Sequence, residues 1–187
     1  MSRWEPNARG RLVEAAQELY LERGYDQVTV AEIAQRAGLT ERTFFRHFAD
    51  KREVLFGGAR ELQEQVAAVI RAAPESATPT ELIETALAVS TKAFTENRAQ
   101  LLRRGQIVAA NPELREREVV KGAAMVAAMT TALRERGLPE PAASLTAELG
   151  SAVFRIATGR WLADPEPPDL SALIKETLAE LKAVAAR

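Results

Sequence analysis

The sequence contains no cysteine and a single histidine, His47, among its 187 residues. The absence of cysteine excludes disulfide bonds, thiolate zinc sites and cysteine nucleophiles together. A single histidine, without cysteine or a second histidine beside it, provides neither a complete metal site nor the set of groups that nucleophilic catalysis needs. We therefore expect a protein that is not an enzyme and that holds no metal or cofactor.

Long apolar runs are missing as well. No stretch approaches the roughly 18–20 apolar residues needed to cross a bilayer, and residues 1–6 lack the apolar segment of a signal peptide. The sequence therefore predicts a cytoplasmic protein that makes no membrane contact. Its net charge is only −1, so binding to nucleic acid would depend on a few placed contacts and on dimerisation, since bulk attraction to phosphate is weak.

The pattern that is present is helical. Hydrophobic residues make up 47% of the chain, and they recur at helical spacing, without the alternation of strands or any internal repeat. This predicts an all-α fold of about nine helices. A proline-bearing segment at 71–79 divides the chain into an N-terminal domain at 1–56, whose connector helix runs from Asp50 to about residue 71, and a C-terminal helical bundle at 72–187.

Two short helical patterns meet at Gly38. In the first, the apolar residues lie at i, i+3, i+4 and i+7, which places them on one buried face: Val30, Ile33, Ala34 and Ala37. Thr29 is the predicted N-cap, and Glu32 completes a capping box. Gly38 ends this helix, and Leu39 packs beneath the turn. The spacing predicts a helix-turn-helix.

The second helix begins at Thr40. Phe44 and Phe48 lie at i and i+4 and are predicted to point into the core. The other faces then carry groups that match base edges and phosphates in a major groove: Glu41, Arg42, Thr43, Phe45, Arg46 and His47. Two alternatives remain open on the residues alone. One is a helical hairpin whose polar face is only solvated, and the other is a helical scaffold that binds a protein partner and no DNA.

The N-terminal residues closely resemble the TetR family of bacterial repressors. The segments that carry the resemblance are 24–29, 37–40, 43–48 and Lys51, and the likeness covers about residues 8–56. It implies a homodimer that binds a palindromic operator in double-stranded DNA and is released by a small-molecule effector.

The resemblance also implies roles for single residues. Four of them match positions that face bases: Glu41, Arg42, Thr43 and Arg46. Four others match positions that touch the DNA backbone: Thr29, Phe45, His47 and Lys51. Thr40 completes the predicted DNA-binding set. Many relatives have tyrosine where this chain has Phe45, so a hydroxyl bond to phosphate is lost at that position.

The C-terminal domain is predicted to hold the effector. The run 122–129 consists of small and flexible side chains on nearly every face, which predicts burial in the bundle. The predicted pocket is lined by Phe94, Leu101, Met125, Met129, Phe154 and Trp161, although a well-filled core fits the same pattern. Segments 103–118 and 155–162 loosely resemble the subgroup thought to bind acyl-CoA-like ligands. A generic hydrophobic or drug-like effector is the alternative.

The last two helices have apolar faces that are too wide for one chain to cover. We expect them to stack on their copies as a four-helix bundle in a homodimer. The predicted interface residues are Leu149, Val153, Ile156, Ile174, Leu178 and Leu181.

Overall fold

The computed structural model describes residues 7–185 of the chain. All the regular elements in this range are α-helices, so the predicted all-α class is confirmed. Ten helices lie within residues 7–185: α1 (Ala8–Arg23), α2 (Val30–Arg36), α3 (Glu41–His47), α4 (Glu53–Phe56), α5 (Ala59–Ala72), α6 (Pro79–Thr95), α7 (Arg98–Ala110), α8 (Pro112–Glu135), α9 (Ala142–Ala163) and α10 (Leu170–Ala185). Across the described part of the chain, no helix is both long and apolar enough to span a bilayer.

The predicted connector helix is interrupted at two glycines. The structure has α4 ending at Phe56 and α5 beginning at Ala59, so the prediction of one helix from Asp50 to Ile70 is wrong. Gly58 has a φ of 93°, a conformation that side chains with a Cβ rarely adopt. A Cβ added at Gly57 would lie 2.9 Å from Cε1 of Phe48. The two glycines therefore interrupt the helical pattern, with a positive φ at Gly58 and a buried ring beside Gly57.

The first compact unit contains the chain up to Gly58 together with residues 99–119. Its core is one apolar cluster built mainly from α1–α4, to which Ile107, Val108 and Leu114 of the later segment belong. Sequence reasoning assigned residues 99–119 to the C-terminal domain, whereas their contacts group them with the N-terminal helices.

Polar contacts hold this later segment within the first unit. Arg104 donates from Nε to the carbonyl oxygen of Leu55 at 2.9 Å, and its guanidinium lies 4.8 Å from the ring centroid of Phe56. Arg52 pairs with Glu113 at 3.0 Å, and Arg117 pairs with Glu53 at 2.5 Å. Arg103, from the segment that loosely resembles acyl-CoA binders, donates from Nε to the buried Gln17 at 3.3 Å. These arginines serve the packing of the first unit.

The second compact unit contains, of the described residues, 59–98 and 120–185. Its core is formed by α5, α6, α9, α10 and the end of α8, and its most completely buried side chains are Val66, Ile70, Leu82, Leu133 and Leu170. The predicted burial of the run 122–129 is wrong for most of it. Gly122, Ala123, Ala124 and Ala127 are exposed, and only Met129 is fully buried. Within the second unit, the apolar pattern of α8 is inward-facing only near the end of the helix, at Met129, Ala132 and Leu133.

Replacement of Gly58 by alanine should destabilise the first unit by about 1–2 kcal/mol, because alanine pays a steric cost at this positive φ. Urea denaturation followed by circular dichroism measures the change. Gly122→Ala is the matched control, since Gly122 lies in α8 with no atom within 4 Å of an added Cβ. The control substitution should raise the free energy of unfolding by about 0.4–1 kcal/mol. Similar effects of the two substitutions would contradict the account of Gly58.

Candidate nucleic-acid interface

The first helix of the predicted helix-turn-helix begins with the expected capping box. Glu32 donates its backbone N–H to Oγ1 of Thr29 at 3.3 Å, and its carboxylate accepts from the Thr29 backbone N–H at 2.8 Å. Arg23 adds an ion pair to the same carboxylate at 2.6 Å. The hydrogen bonds from Thr29 and Arg23 lower the pKa of Glu32 to about 2. Thr29 therefore fixes the start of α2, and its hydroxyl already has two partners within the chain.

The turn after α2 is a Schellman motif. Gly38 has a φ of 65°, and it donates to the carbonyl oxygen of Gln35 at 2.9 Å, while Leu39 donates to that of Ala34 at 2.8 Å. Arg11, on α1, donates from Nη2 to the carbonyl oxygen of Ala37. A Cβ at Gly38 would lie 2.8 Å from that same Nη2. Glycine is thus required here both for the left-handed backbone and for the close approach of Arg11.

Helix α3, the recognition helix, is fixed by its cap and by two phenylalanines. Oγ1 of Thr40 accepts from the Thr43 backbone N–H at 3.2 Å, as the sequence predicts. Phe44 is completely buried and Phe48 is nearly so, with their ring centroids 5.4 Å apart. Both predicted core positions are confirmed. Burial of these two rings determines which side of α3 faces away from the core.

The outward side of α3 carries four exposed side chains, which we call the recognition face: Glu41, Arg42, Phe45 and Arg46. Within residues 7–185 neither Arg42 nor Arg46 has a side-chain hydrogen bond or ion pair, so their guanidiniums remain available. Phe45 is 54% exposed although it packs edge to face on Phe44 at 5.5 Å. Thr43 is half-buried, and its hydroxyl lies 3.0 Å from that of Thr40. The recognition face therefore offers two guanidiniums, one carboxylate and one flat ring to solvent.

His47 has a different environment. Its side chain is half-buried, and its Nε2 is buried without a hydrogen-bond partner among the described residues. Burial and the positive charges of Arg46 and Arg9 lower the pKa of His47. These surroundings favour the neutral form of the imidazole in the free protein.

The ammonium of Lys51 makes its contacts within the first unit. Its ammonium donates to the carbonyl oxygens of Tyr25 at 3.0 Å, Val28 at 3.3 Å and Asp26 at 3.5 Å. The same ammonium lies 4.3 Å from the ring centroid of Tyr25. Lys51 is half-buried and contacts the connection between α1 and α2.

Sequence reasoning missed two residues that shape the site. Arg11 bonds the turn, and the hydroxyl of Tyr20 donates to the carbonyl oxygen of Lys51 at 2.8 Å. The only signal for Tyr20 was its place on the buried stripe of α1, which indicates packing but not a hydrogen bond. Arg11 had no signal, because its acceptor is 26 residues further along the chain.

The structure places the residues of the predicted effector pocket in several different surroundings. In the second unit, Phe94 and Phe154 pack edge to face with ring centroids 4.8 Å apart. Trp161 is buried against the guanidinium of Arg98, whose Cζ lies 5.2 Å from a ring centroid. The three remaining residues lie elsewhere: Met129 is buried near Gly150, Met125 is half-buried, and Leu101 belongs to the first unit. Leu101 is therefore not part of a lining within the second unit.

A groove of about 460 Å³ does lie between α5 and α8 of the second unit. Its floor is apolar, formed by Ala67, Ala127 and Ala128, and Arg60 and Arg71 are among the longer side chains that line it. Arg60 pairs with Glu64 at 3.0 Å, and Arg71 pairs with Glu135. None of the residues predicted for the pocket lines this groove. Within residues 7–185, no group of three or more metal-binding side chains comes together.

The predicted dimer residues divide into three kinds. Leu149 and Ile156 of α9 are each 46% exposed, and Leu178 and Leu181 of α10 are half-buried. Val153 and Ile174 are buried within a single protomer, which leaves little of either side chain for a second copy to contact. The helical stripe that the sequence shows on α9 and α10 is thus partly the packing face of the two helices on each other.

Comparison with known proteins finds a family model and relatives that are similar to the N-terminal helices. Residues 12–56 match the model described as bacterial regulatory proteins, tetR family. The HTH-type transcriptional regulator TcmR of Streptomyces glaucescens is 38% identical over 71 residues, which are 38% of this chain and 31% of that protein. The HTH-type transcriptional repressor BepR of Brucella suis is 32% identical over 99 residues, which are 50% of this chain and 46% of that protein. The chain thus spans less than half the length of these relatives.

A solved structure extends the likeness to the fold of most of the chain. FadR from Thermus thermophilus, described as a TetR-family transcriptional repressor in complex with lauroyl-CoA, superposes with a TM-score of 0.57. The match covers 93% of each chain at 24% sequence identity. At that identity the likeness establishes the arrangement of helices, and the ligand belongs to that protein.

Proposed function

We propose that the protein is a transcriptional regulator, acting as a repressor, that binds a palindromic operator as a homodimer, because its residues 12–56 match the family model of bacterial regulatory proteins, tetR family. A small apolar molecule releases it from the DNA. The observation that carries the proposal is the recognition face of α3. It presents Arg42 and Arg46 without partners among the described residues, on a helix whose opposite side is fixed by two buried rings.

The chemistry of the recognition face suits a major groove. Arginine matches O6 and N7 of guanine through two parallel hydrogen bonds, and a carboxylate such as Glu41 accepts from the amino group of cytosine. The exposed ring of Phe45 can pack on thymine methyl groups or on sugar, which needs no hydroxyl. Because the chain is nearly neutral, two copies of this face on one operator would supply the affinity that bulk charge does not.

A second copy of the chain would cover the exposed apolar face of α9. Leu145, Leu149 and Ile156 lie at i, i+4 and i+11 on this helix, which places them on one side, and they are 59%, 46% and 46% exposed. Large apolar side chains grouped in this way are typical of protein interfaces. A two-fold dimer presents the same patch on both partners, so each face buries the other.

The groove between α5 and α8 is the proposed effector site. Its volume of about 460 Å³ lies in the range of small-molecule sites, and its floor of alanines suits an acyl chain. Arg60 is bound only by an exposed ion pair to Glu64, which contributes little stability, so an anionic ligand group can replace that partner at small cost. The lauroyl-CoA bound to FadR makes an acyl-CoA-like ligand the first class to test.

The two arginines should determine base preference. Loss of an arginine that bonds guanine should cost about 1–3 kcal/mol at one position of the operator and little at the others. Selection of bound duplexes from a random pool, with the wild type and with Arg42→Ala and Arg46→Ala, measures the preference at each base pair. Arg60→Ala, an exposed arginine of the second unit, is the control. Equal losses on cognate and scrambled DNA for both α3 variants would contradict base recognition, and no selected sequence at all would contradict DNA binding.

A charge on the exposed face of α9 should prevent dimerisation. We expect Leu149→Glu and Ile156→Glu to sediment as monomers and to lose operator affinity, since burial of a carboxylate in an apolar interface is costly. Leu21→Glu is the matched control, because Leu21 is 44% exposed on α1 of the first unit. A dimer that persists in both α9 variants would exclude this face as the interface.

Filling the groove should abolish effector binding. Ala128→Trp places a large ring on the groove floor, whereas Ala124→Trp is exposed on the same helix and leans towards its N-terminus, away from the lining. Calorimetric titration with lauroyl-CoA and lauric acid should give binding by the wild type and Ala124→Trp only. Operator DNA should weaken that binding by the factor by which the ligand weakens DNA binding, about 5–150-fold. If the Ala128→Trp variant still binds these ligands, the groove is not the effector site. If operator DNA does not change the affinity for the ligand, the ligand does not release the protein from DNA.

A further inference from the structure

Lys51 lies just after the recognition helix and contacts the connection between α1 and α2. Lysine side chains of DNA-binding proteins commonly contact phosphate oxygens. Here we propose that Lys51 is a positioning residue, which holds the start of α2 and the end of α3 in their relative places and does not bind phosphate. The expected effect on DNA affinity rests on the proposed function. The structural role of Lys51 rests only on contacts within the first unit.

The donors of the Lys51 ammonium are all in use. An ammonium can donate three hydrogen bonds and can accept none. Its acceptors are the carbonyl oxygens of Tyr25 at 3.0 Å, Val28 at 3.3 Å and, more weakly, Asp26 at 3.5 Å. The face of the Tyr25 ring covers it from another direction at 4.3 Å. A phosphate could bind the ammonium only by replacing one of these carbonyl oxygens as hydrogen-bond acceptor. That exchange would leave a partly buried carbonyl oxygen unpaired.

The backbone of Lys51 is held from the opposite direction. The Tyr20 hydroxyl donates to its carbonyl oxygen at 2.8 Å. Tyr20 is almost completely buried, which raises its pKa, so the hydroxyl keeps its proton and remains a donor. Tyr20 and Tyr25 pack edge to face with centroids 5.1 Å apart. One residue is therefore bonded to α1 through its backbone and to the following connection through its side chain.

These contacts reach the recognition site through two short paths along the chain. Val28, whose carbonyl accepts from Lys51, immediately precedes Thr29, the cap of α2. Phe48, which is buried and ends α3, lies three residues before Lys51. Loss of the ammonium thus loosens both ends of the helix pair. DNA affinity should fall on every sequence alike, without the loss of a phosphate contact.

The salt dependence of DNA binding separates positioning from phosphate contact. A lysine that neutralises one phosphate contributes about one unit to the slope of log K against log salt. We expect Lys51→Met, which keeps the length of the stem, to weaken binding to a random-sequence duplex roughly tenfold, with the slope unchanged. Lys51→Arg, which restores donors at the same place, should recover much of the affinity. Lys92→Met, an exposed lysine of the second unit, is the control that removes an equal charge.

Hydrogen exchange supplies a readout that needs no DNA. In Lys51→Met the backbone amides of residues 24–40 should exchange at least tenfold faster, whereas in Lys92→Met they should not change. A slope that falls by about one unit in Lys51→Met, or exchange that stays as in the wild type, would overturn the proposal. If the wild type binds no duplex, the proposed function fails, and faster exchange in Lys51→Met still supports the positioning role.

Discussion

Burial of Phe44 and Phe48 is the constraint on which the candidate interface depends. The two rings lie in the core of the first unit, 5.4 Å apart, and they take up one side of a helix of only seven residues. A helix this short has almost no stability of its own in water, so its orientation comes from what it buries. Once these rings are placed, Arg42, Phe45 and Arg46 have no other direction than outward.

The use of arginine in the first unit follows from the same constraint. Arg11 bonds the carbonyl of the turn, Arg36 pairs with Glu22 on α1, and Arg52 joins Asp50 to Glu113. Arg42 and Arg46 differ from these because no described residue pairs with them. A guanidinium that has an internal partner must exchange it to bind DNA, whereas one that has none loses only water. Among the described arginines of the first unit, the lack of an internal partner distinguishes the two on the recognition face from those that support packing.

Local chemistry made much of this predictable from the sequence. The capping box at Thr29 and Glu32, the left-handed Gly38 and the buried pair Phe44 and Phe48 each depend on residues within one or two helical turns. The partners of Lys51 and Arg11 depend on residues more than twenty positions away, and single-sequence periodicity carries no information about them. The exposure of Gly122, Ala123, Ala124 and Ala127 was missed for a related reason. Small apolar residues are compatible with a buried helix face and with a solvent-exposed one. Only the packing of neighbouring helices determines whether such a face is buried.

The composition of the first unit from two separate pieces of chain has a consequence for its synthesis. Ile107, Val108 and Leu114 belong to the same apolar cluster as the helices before Gly58. A ribosome makes the helix-turn-helix first and these three side chains only about fifty residues later, at roughly 5–20 residues each second. During that interval the nascent helices have an unfinished core with exposed apolar surface. The recognition helix is therefore made before its supporting core is complete, because that core also needs the later segment as far as Leu114.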